Sequence, residues 1–455
     1  FMTAVTVVPD APDNKTSFAQ PGSFSNERDF FGTLRAEWDL TADVTAWGAY
    51  GLRRSDEENS LGNLTVTNGS TGDGYTYRFD NAREDSVDTG ELGLRGKLRT
   101  GSVGHEWVAS VSRFELDSRN AYQFDAGNQQ ITNLYDPVPT RLPAFSAASG
   151  RGNDLNDPAL TNRIRFTSFA LGDTLSMLED KLLLTLGARY QSMKVDTFDY
   201  EFAAFPNAST YDKSRTSPLV GAVYRFTPQI SAYGNYIEGL TKGDTAPSTA
   251  ANAGAVLSPY VAKQKEVGLK YEAERIGFGL ALFSTDKPRG VVNSSNVFVA
   301  DGKDRHKGLE LTTYGEAMRG LRLLGGLTFL DTEQINTGSA ATEGKRTIGV
   351  PKTQANLGAE WDIPGVRGLA VDGRVVYSSS SYADAANTLK VDSWTRLDAG
   401  LRYITDVQGH ALTLRARVDN LTDRDYWSSV GGYPGAGYLV VSNPRTFTLS
   451  ASVDF

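Results

Sequence analysis

The order of residues at the end of the chain leaves a strand few places to go. Over Arg445 to Phe455, residues Phe447, Leu449, Ala451, Val453 and Phe455 fall on one side of an extended backbone, and Thr446, Thr448, Ser450, Ser452 and Asp454 on the other, because side chains alternate faces along a strand. One face is wholly apolar and the other wholly polar. A strand of a soluble sandwich can alternate in this way, but it seldom keeps its apolar face unbroken to a terminal aromatic residue. A strand of a membrane-spanning barrel does so naturally, with lipid on one side, water on the other and an aromatic ring at the interface.

The same period of two recurs upstream with charge on one face. Arg396, Asp398 and Arg402 oppose Leu397, Ala399, Leu401 and Tyr403, and Arg415, Arg417 and Asp419 oppose Leu412, Leu414, Ala416 and Val418. An Arg at the bilayer midplane costs about 2–4 kcal/mol, so the charged face belongs to the lumen. Arg396, Arg402, Arg415 and Arg417 are therefore expected to point inward, and Leu397, Leu401, Leu414 and Val418 to lipid. Nearer the start, Phe30, Leu34, Ala36, Trp38 and Leu40 oppose Arg35, Glu37 and Asp39, and Leu92, Leu94 and Leu98 oppose Glu91, Arg95, Lys97 and Arg99.

Turns divide these strands unevenly. Short ones fall near Thr41 to Asp43, Thr100 to Gly104, Leu178 to Lys181, Thr227 to Gln229, Glu272 to Ile276, Glu316 to Gly320, Ile363 to Arg367 and Thr405 to Gly409. Long polar segments fall at about 55–85, 119–161, 197–217, 239–260, 287–305, 333–349, 380–392 and 420–443. Short turns on one end and long loops on the other are the asymmetry of outer-membrane barrels. The expected fold is all-β, a transmembrane antiparallel β-barrel of about eighteen strands, each about ten residues long.

Composition sets the remaining bounds. Across 455 residues and 40% hydrophobic content, no run approaches the roughly 18–20 apolar residues of a membrane helix. Cysteine is absent, which excludes disulfides and thiolate metal sites, and the net charge of -8 argues against a nucleic-acid partner. His105, His306 and His410 lie far apart, so no protein metal site is expected, and no nucleophile elbow, phosphate loop or zinc signature suggests catalysis. The opening Phe1 to Pro9 reads as a strand and has no secretory signal, so the chain reads as a piece whose start has been lost.

Several stretches in order resemble the TonB-dependent outer-membrane receptors, most closely the ferric-siderophore branch. They are Tyr236-Ile237-Glu238-Gly239-Leu240, Leu257-Ser258-Pro259, Lys263 to Glu272, Arg305 to Glu310, Val350-Pro351-Lys352 with Asn356-Leu357, Val418 to Trp427, and Asn443 to Phe447 with the closing alternation. The resemblance implies a barrel of 22 strands around an N-terminal plug that carries the TonB-contacting motif. Residues 1–455 would then be the C-terminal portion of the receptor barrel domain, without plug or first strands. The strands are expected to form a gapped barrel, with the one near Phe1 and the one ending at Phe455 unpaired. The implied protein is a monomer in the bacterial outer membrane, in contact with its lipid, which imports a ferric siderophore by way of TonB and needs no cofactor.

A receptor of this kind recognises a large polar chelate with aromatic and hydrogen-bonding side chains. Candidates are Tyr75, Tyr77, Tyr122, Phe124, Tyr236, Trp427 and Tyr433, with Tyr135, Tyr260 and Tyr438 nearby in the loops. Trp427 and Tyr433 are the preferred pair. The competing role for any of them is the aromatic girdle at the headgroups. The expected ligand is a ferric chelate, a hydroxamate for instance, whose own oxygens hold the iron. Two other functions remain open at this point: a passive porin, for which about eighteen strands would be complete, and a membrane-embedded barrel enzyme.

Overall fold

A computed structural model describes residues 5–202, 208–433 and 436–454. Its long strands are β1 (Phe24–Thr41), β2 (Val44–Gly62), β3 (Arg78–Thr100), β4 (Val103–Phe124), β5 (Ala159–Met177), β6 (Leu182–Thr197), β7 (Ser209–Arg225), β8 (Ile230–Thr241) and β9 (Tyr260–Glu272). They continue as β10 (Ile276–Val292), β11 (Phe298–Met318), β12 (Leu321–Ile335), β13 (Thr353–Asp362), β14 (Leu369–Ser378), β15 (Trp394–Val407), β16 (His410–Asp419) and β17 (Thr446–Asp454). Each pairs antiparallel with the next, and with the short Gly150–Gly152 they make one eighteen-stranded sheet. The all-β antiparallel meander agrees with the reading of the sequence; its long strands number seventeen against the about eighteen expected.

Register shows how the sequence sets the two faces. Val267 faces Leu282, Leu282 faces Leu309 and Leu309 faces Phe329, an apolar rung across β9 to β12. One rung toward the loops the same face carries Lys265, Ser284, Lys307 and Asp331. Lipid therefore ends between these rungs, where apolar side chains give way to charge. The opposite face is mainly polar in β13 to β16, with Val376 and Ile404 among its few apolar residues. There Arg402 donates to Glu360 at 2.9 Å and Arg417 to Asp419 at 2.8 Å. Arg396 and Arg415 share that face, and Leu397, Leu401, Leu414 and Val418 take the other, as the alternation requires.

Three expectations need correction. Many strands exceed ten residues, although β13, β14 and β16 have ten: β3 has 23, because the ladder continues past the lipid limit with charged partners on both faces. Much of the segment 55–85 is therefore strand, and only 293–297 separates β10 from β11. Phe1 to Ala4 lie outside the described residues, and residues 5–23 contain no strand. The first strand is β1, and it crosses nearer to Trp38 than to Phe1.

Among the described residues β1 pairs only with β2 and β17 only with β16, so the wall has a gap. Both edge strands are solvent-exposed on both faces; Leu449 is 82% exposed. In lipid such unpaired backbone is costly, several kcal/mol per group. The buried apolar clusters lie at the loop end rather than in a central core. Met193, Val195 and Tyr211 pack with Ile164, Phe166, Leu240 and Val256, and Ala246, Ala250 and Phe298 with Ala255, Leu257 and Val292.

Candidate ligand-binding mouth

The long loops are folded, with ladders of their own. Thr65–Val66, Asp73–Thr76 and Gln130–Asn133 form a three-stranded sheet from the β2–β3 and β4–β5 loops. Trp427–Tyr433 pairs with Ala436–Val441 in the β16–β17 loop. Hydrogen bonds close the turns that the ladders leave: Asp73 accepts from Thr71 and from Asn133, and these donors hold its carboxyl below the usual carboxylate range.

The segment 9–20 lies across the gap and ties the first loops to the last. Asn14 donates through its side chain to the carbonyls of Arg424 at 3.2 Å and Asn443 at 3.4 Å, and its backbone N–H donates to Asp425 at 2.9 Å. Lys15 pairs with Asp423 at 2.6 Å. On the other side, Thr140 donates its N–H to Gln20 Oε1 at 2.8 Å and Tyr135 donates to the Asp10 carbonyl at 3.4 Å. Pro12, within this strap, is fully buried.

Trp427, one of the preferred pair, sits where strap and loops meet. Its indole N–H donates to the Pro9 carbonyl at 2.7 Å. Beside it Phe18, Leu64, Val66, Leu134 and Leu439 help to line an apolar cavity of about 340 Å³. Tyr433 ends the strand Trp427–Tyr433, and its side chain lies outside the described residues. Tyr438 lines the same cavity as Trp427. Tyr75 and Tyr77 stack at 6.4 Å within the neighbouring loop sheet.

Tyr122 and Phe124 form a second group with Tyr200, whose hydroxyl donates to Asn120 at 3.1 Å. Tyr122 meets Phe124 at 6.0 Å and Tyr200 at 5.0 Å. Burial pushes the Tyr200 phenol above its ordinary pKa. Tyr236 is not brought to either group. It faces Val220 and Lys265, on the same side of the sheet as Val267 and Leu269. That is the girdle position at the lipid limit.

Several mouth residues escaped the sequence reading. Phe114 and Phe166 pair on the inner face at 6.1 Å, and Tyr211 is buried while its hydroxyl accepts from the Gly243 N–H at 3.2 Å. Tyr260, which the sequence already offers as a loop aromatic, donates to Asp244 at 3.0 Å and so pins the other end of the same loop. The signal that could have found Phe114 and Phe166 is parity: both are aromatic on the polar face of their strands. Below the mouth, a cavity of about 640 Å³ on the inner wall is bounded by Arg322, Asn356, Glu360, Asp372, Arg374 and Arg417. Among the described residues no group of three or more His, Asp or Glu is placed to hold a metal ion. His105 instead pairs with Asp173 at 2.7 Å.

Residues 3–421 match the family described as TonB dependent receptor-like, beta-barrel. The chain is 35% identical to the ferrichrome receptor FcuA of Yersinia enterocolitica, over 99% of this chain and 59% of that protein. It is 27% identical to a probable TonB-dependent siderophore receptor, PiuA, of Acinetobacter baumannii, over 89% of this chain and 58% of that one. The crystal structure of BauA, the ferric preacinetobactin receptor of Acinetobacter baumannii, superposes with a TM-score of 0.88 at 34% identity, covering 100% of this chain and 67% of that one. The chain thus spans less than two thirds of the length of these curated relatives. A wall apolar on one face and charged on the other, folded loops at one end only and this likeness along its length place the chain in the TonB-dependent receptor β-barrel family.

Proposed function

We propose that the intact protein is an outer-membrane receptor that imports a ferric siderophore with energy delivered through TonB. The observation that carries this reading is the mouth. Its loops carry ladders of their own and are strapped together by residues 9–20 rather than left as a loose rim. Passive diffusion needs an unobstructed pore, and the porin reading also needs a closed wall, whereas β1 and β17 do not pair. The named activities of the relatives, ferrichrome and ferric preacinetobactin reception, support a ferric chelate as cargo.

In this reading the siderophore's own oxygens hold iron, and the protein supplies contact area and hydrogen bonds. Trp427, Tyr75, Tyr77, Tyr122 and Phe124 stand in or beside the folded loops, and the partly buried rings offer apolar area at low entropy cost. Tyr433 belongs to the same proposal by its place in the loop. TonB contact and a plug belong to parts of the intact protein outside residues 1–455, and the barrel acts as a monomer in lipid. The test is uptake of radiolabelled iron by cells carrying the complete gene, with and without TonB. The expected result is TonB-dependent uptake of at least one ferric siderophore that falls when Trp427 is replaced by Ala. Uptake that persists without TonB, or import of cobalamin alone, would overturn the reading.

A further inference from the structure

We infer that the inner wall of β6 and β7, at the level of the mouth, is an anion-binding step, and that the cargo therefore carries net negative charge. The inference rests on the transport reading above and adds the chemistry of the ligand to it.

Four successive rungs on the polar face of these two strands are Arg189 with Ser217, Gln191 with Arg215, Met193 with Lys213, and Val195 with Tyr211. Successive rungs on one face stand about 6.8 Å apart. Three cations thus occupy three consecutive rungs. Across β5 the same rungs continue as Ala170, Ser168, Phe166 and Ile164, none of them acidic. On the other side β7 is paired with β8 only from Leu219 to Arg225, so no ladder partner stands beside Lys213 or Arg215. Among the described residues, the carboxylate that pairs with this step is Glu238, 3.9 Å from Arg215. Among the described residues neither Arg189 nor Lys213, both exposed, has an ionic partner, and Lys242 adds a fourth cation over the Tyr211 ring at 5.7 Å.

Like charges on neighbouring positions of a sheet destabilise it. Elsewhere the inner wall mostly answers a cation with a carboxylate, although Arg415 stands opposite Arg402 in the ladder. Arg53 meets Asp29 at 2.8 Å, Arg83 meets Asp85 at 2.7 Å, and Arg322 meets Glu360 at 2.8 Å. The step on β6 and β7 extends over three rungs with one ion pair among the described residues, and it has a second feature that points to a ligand. The Ser217 hydroxyl, on a residue only 9% exposed, has no hydrogen-bond partner among the described residues. An unsatisfied buried hydroxyl costs roughly what a lost hydrogen bond costs, unless something arrives to accept from it. An anion does so, and it answers the three cations as well.

Height fixes what that anion can be. On the opposite face of the same strands Tyr190 and Val220 are the last exposed apolar side chains, and Lys194 with Asp212 lie beyond them. The rungs of Arg215 and Lys213 therefore stand at or above the outer lipid limit, facing the lumen. Phe166, Met193 and Tyr211 form an apolar shelf next to them. Cations below an aromatic shelf suit a ferric chelate bearing carboxylates or catecholates. A neutral trishydroxamate would leave the step uncompensated, so the hydroxamate named from the sequence is narrowed to one with added negative charge.

The test uses the complete receptor at matched surface levels and two radiolabelled ferric chelates of similar size, one anionic and one a neutral trishydroxamate. Wild-type receptor should bind and import the anionic chelate, with affinity that falls as salt rises. The double variant Arg189→Gln, Lys213→Gln should lose ten-fold or more for that chelate, while Lys213→Arg retains it. A wild-type receptor that carries only the neutral chelate overturns this inference and leaves the transport reading intact. Equal loss of thermal stability and of ligand-independent folding in the double variant would assign the cations to acidic groups of the protein itself and overturn it too. A wild-type receptor that carries no ferric chelate overturns the transport reading.

Discussion

Replacing Asp398 by Ala should unfasten the last loop from inside the wall. The Asp398 side chain is fully buried and receives Arg396 at 3.1 Å and Arg417 at 3.4 Å, and it accepts the backbone N–H of Asn420 at 3.0 Å. Asn420, 1% exposed, in turn ties both ends of the β16–β17 loop. Its side chain donates to the carbonyls of Arg424 at 3.0 Å and Asn443 at 3.1 Å. A wall charge thus positions the loop that carries Trp427.

The magnitude follows from what is left unpaired. Removing one partner of a buried ion pair costs about 3–5 kcal/mol, and orphaning a buried amide about 1–3 kcal/mol. Arg417 keeps Asp419 at 2.8 Å, and both arginines remain partly exposed, which discounts the first figure. The sum for Asp398→Ala is about 3 kcal/mol. Asp398→Asn should cost less, since its amide oxygen still accepts from Asn420. Urea unfolding of the complete protein from lipid vesicles, followed by tryptophan fluorescence, measures the difference. Hydrogen exchange should also rise over 420–445 in the Ala variant. A loss under about 0.5 kcal/mol with unchanged exchange would refute the claim that Asp398 anchors the loop.

Three further outcomes are expected. Leu309→Arg, on the apolar rung with Leu282 and Phe329, should destabilise the folded barrel by about 2–4 kcal/mol; Thr328→Arg on the polar face should cost far less in the same vesicle assay. Trp427→Phe removes the donor to the Pro9 carbonyl and should loosen the strap by about 0.5–1.5 kcal/mol, seen as faster hydrogen exchange over 9–20 while the wall is unchanged. Acid should loosen the same strap: the Lys15 ammonium and the Arg445 N–H hold Asp423 below the ordinary carboxylate pKa. A depressed carboxyl contributes stability that is full above its unfolded pKa, about 3.9, and that disappears as pH falls through the lower folded value. Exchange over 9–20 should therefore accelerate below about pH 4 in wild type and show no such step in Asp423→Asn.

How much of this was legible in the sequence depends on which physical constraint wrote it. Lipid on one side and water on the other impose a strict period of two, so the inward arginines of β15 and β16 and the outward Leu397 and Leu414 could be read from parity alone. The same parity explains why strand ends were misplaced. Above the lipid limit both faces meet water, so the alternation of residues 55–62 in β2 dissolves into charge that resembles a loop. Loops obey no period at all. Trp427 and Tyr75 could be recognised as loop aromatics, but that Trp427 would donate to Pro9 depends on a contact across 418 residues of chain.

Tyr236 and Phe114 show the remaining difficulty from opposite sides. Both are aromatic and both lie near the mouth, yet register places Tyr236 with Val267 on the lipid side and Phe114 with Phe166 on the lumen side. An aromatic ring satisfies either environment, because its apolar body suits lipid and its edge or hydroxyl suits water. Composition therefore cannot sort girdle from binding site; only the parity of the neighbours can. A cation has no such tolerance. On the lumen side above the lipid limit, Lys213, which has no carboxylate partner among the described residues, can be placed only at a cost to the sheet. Unmatched charge is for that reason a sharper pointer to the ligand than any of the mouth's aromatic rings, and the chemistry of the cargo is better sought on β6 and β7 than in the loops above them.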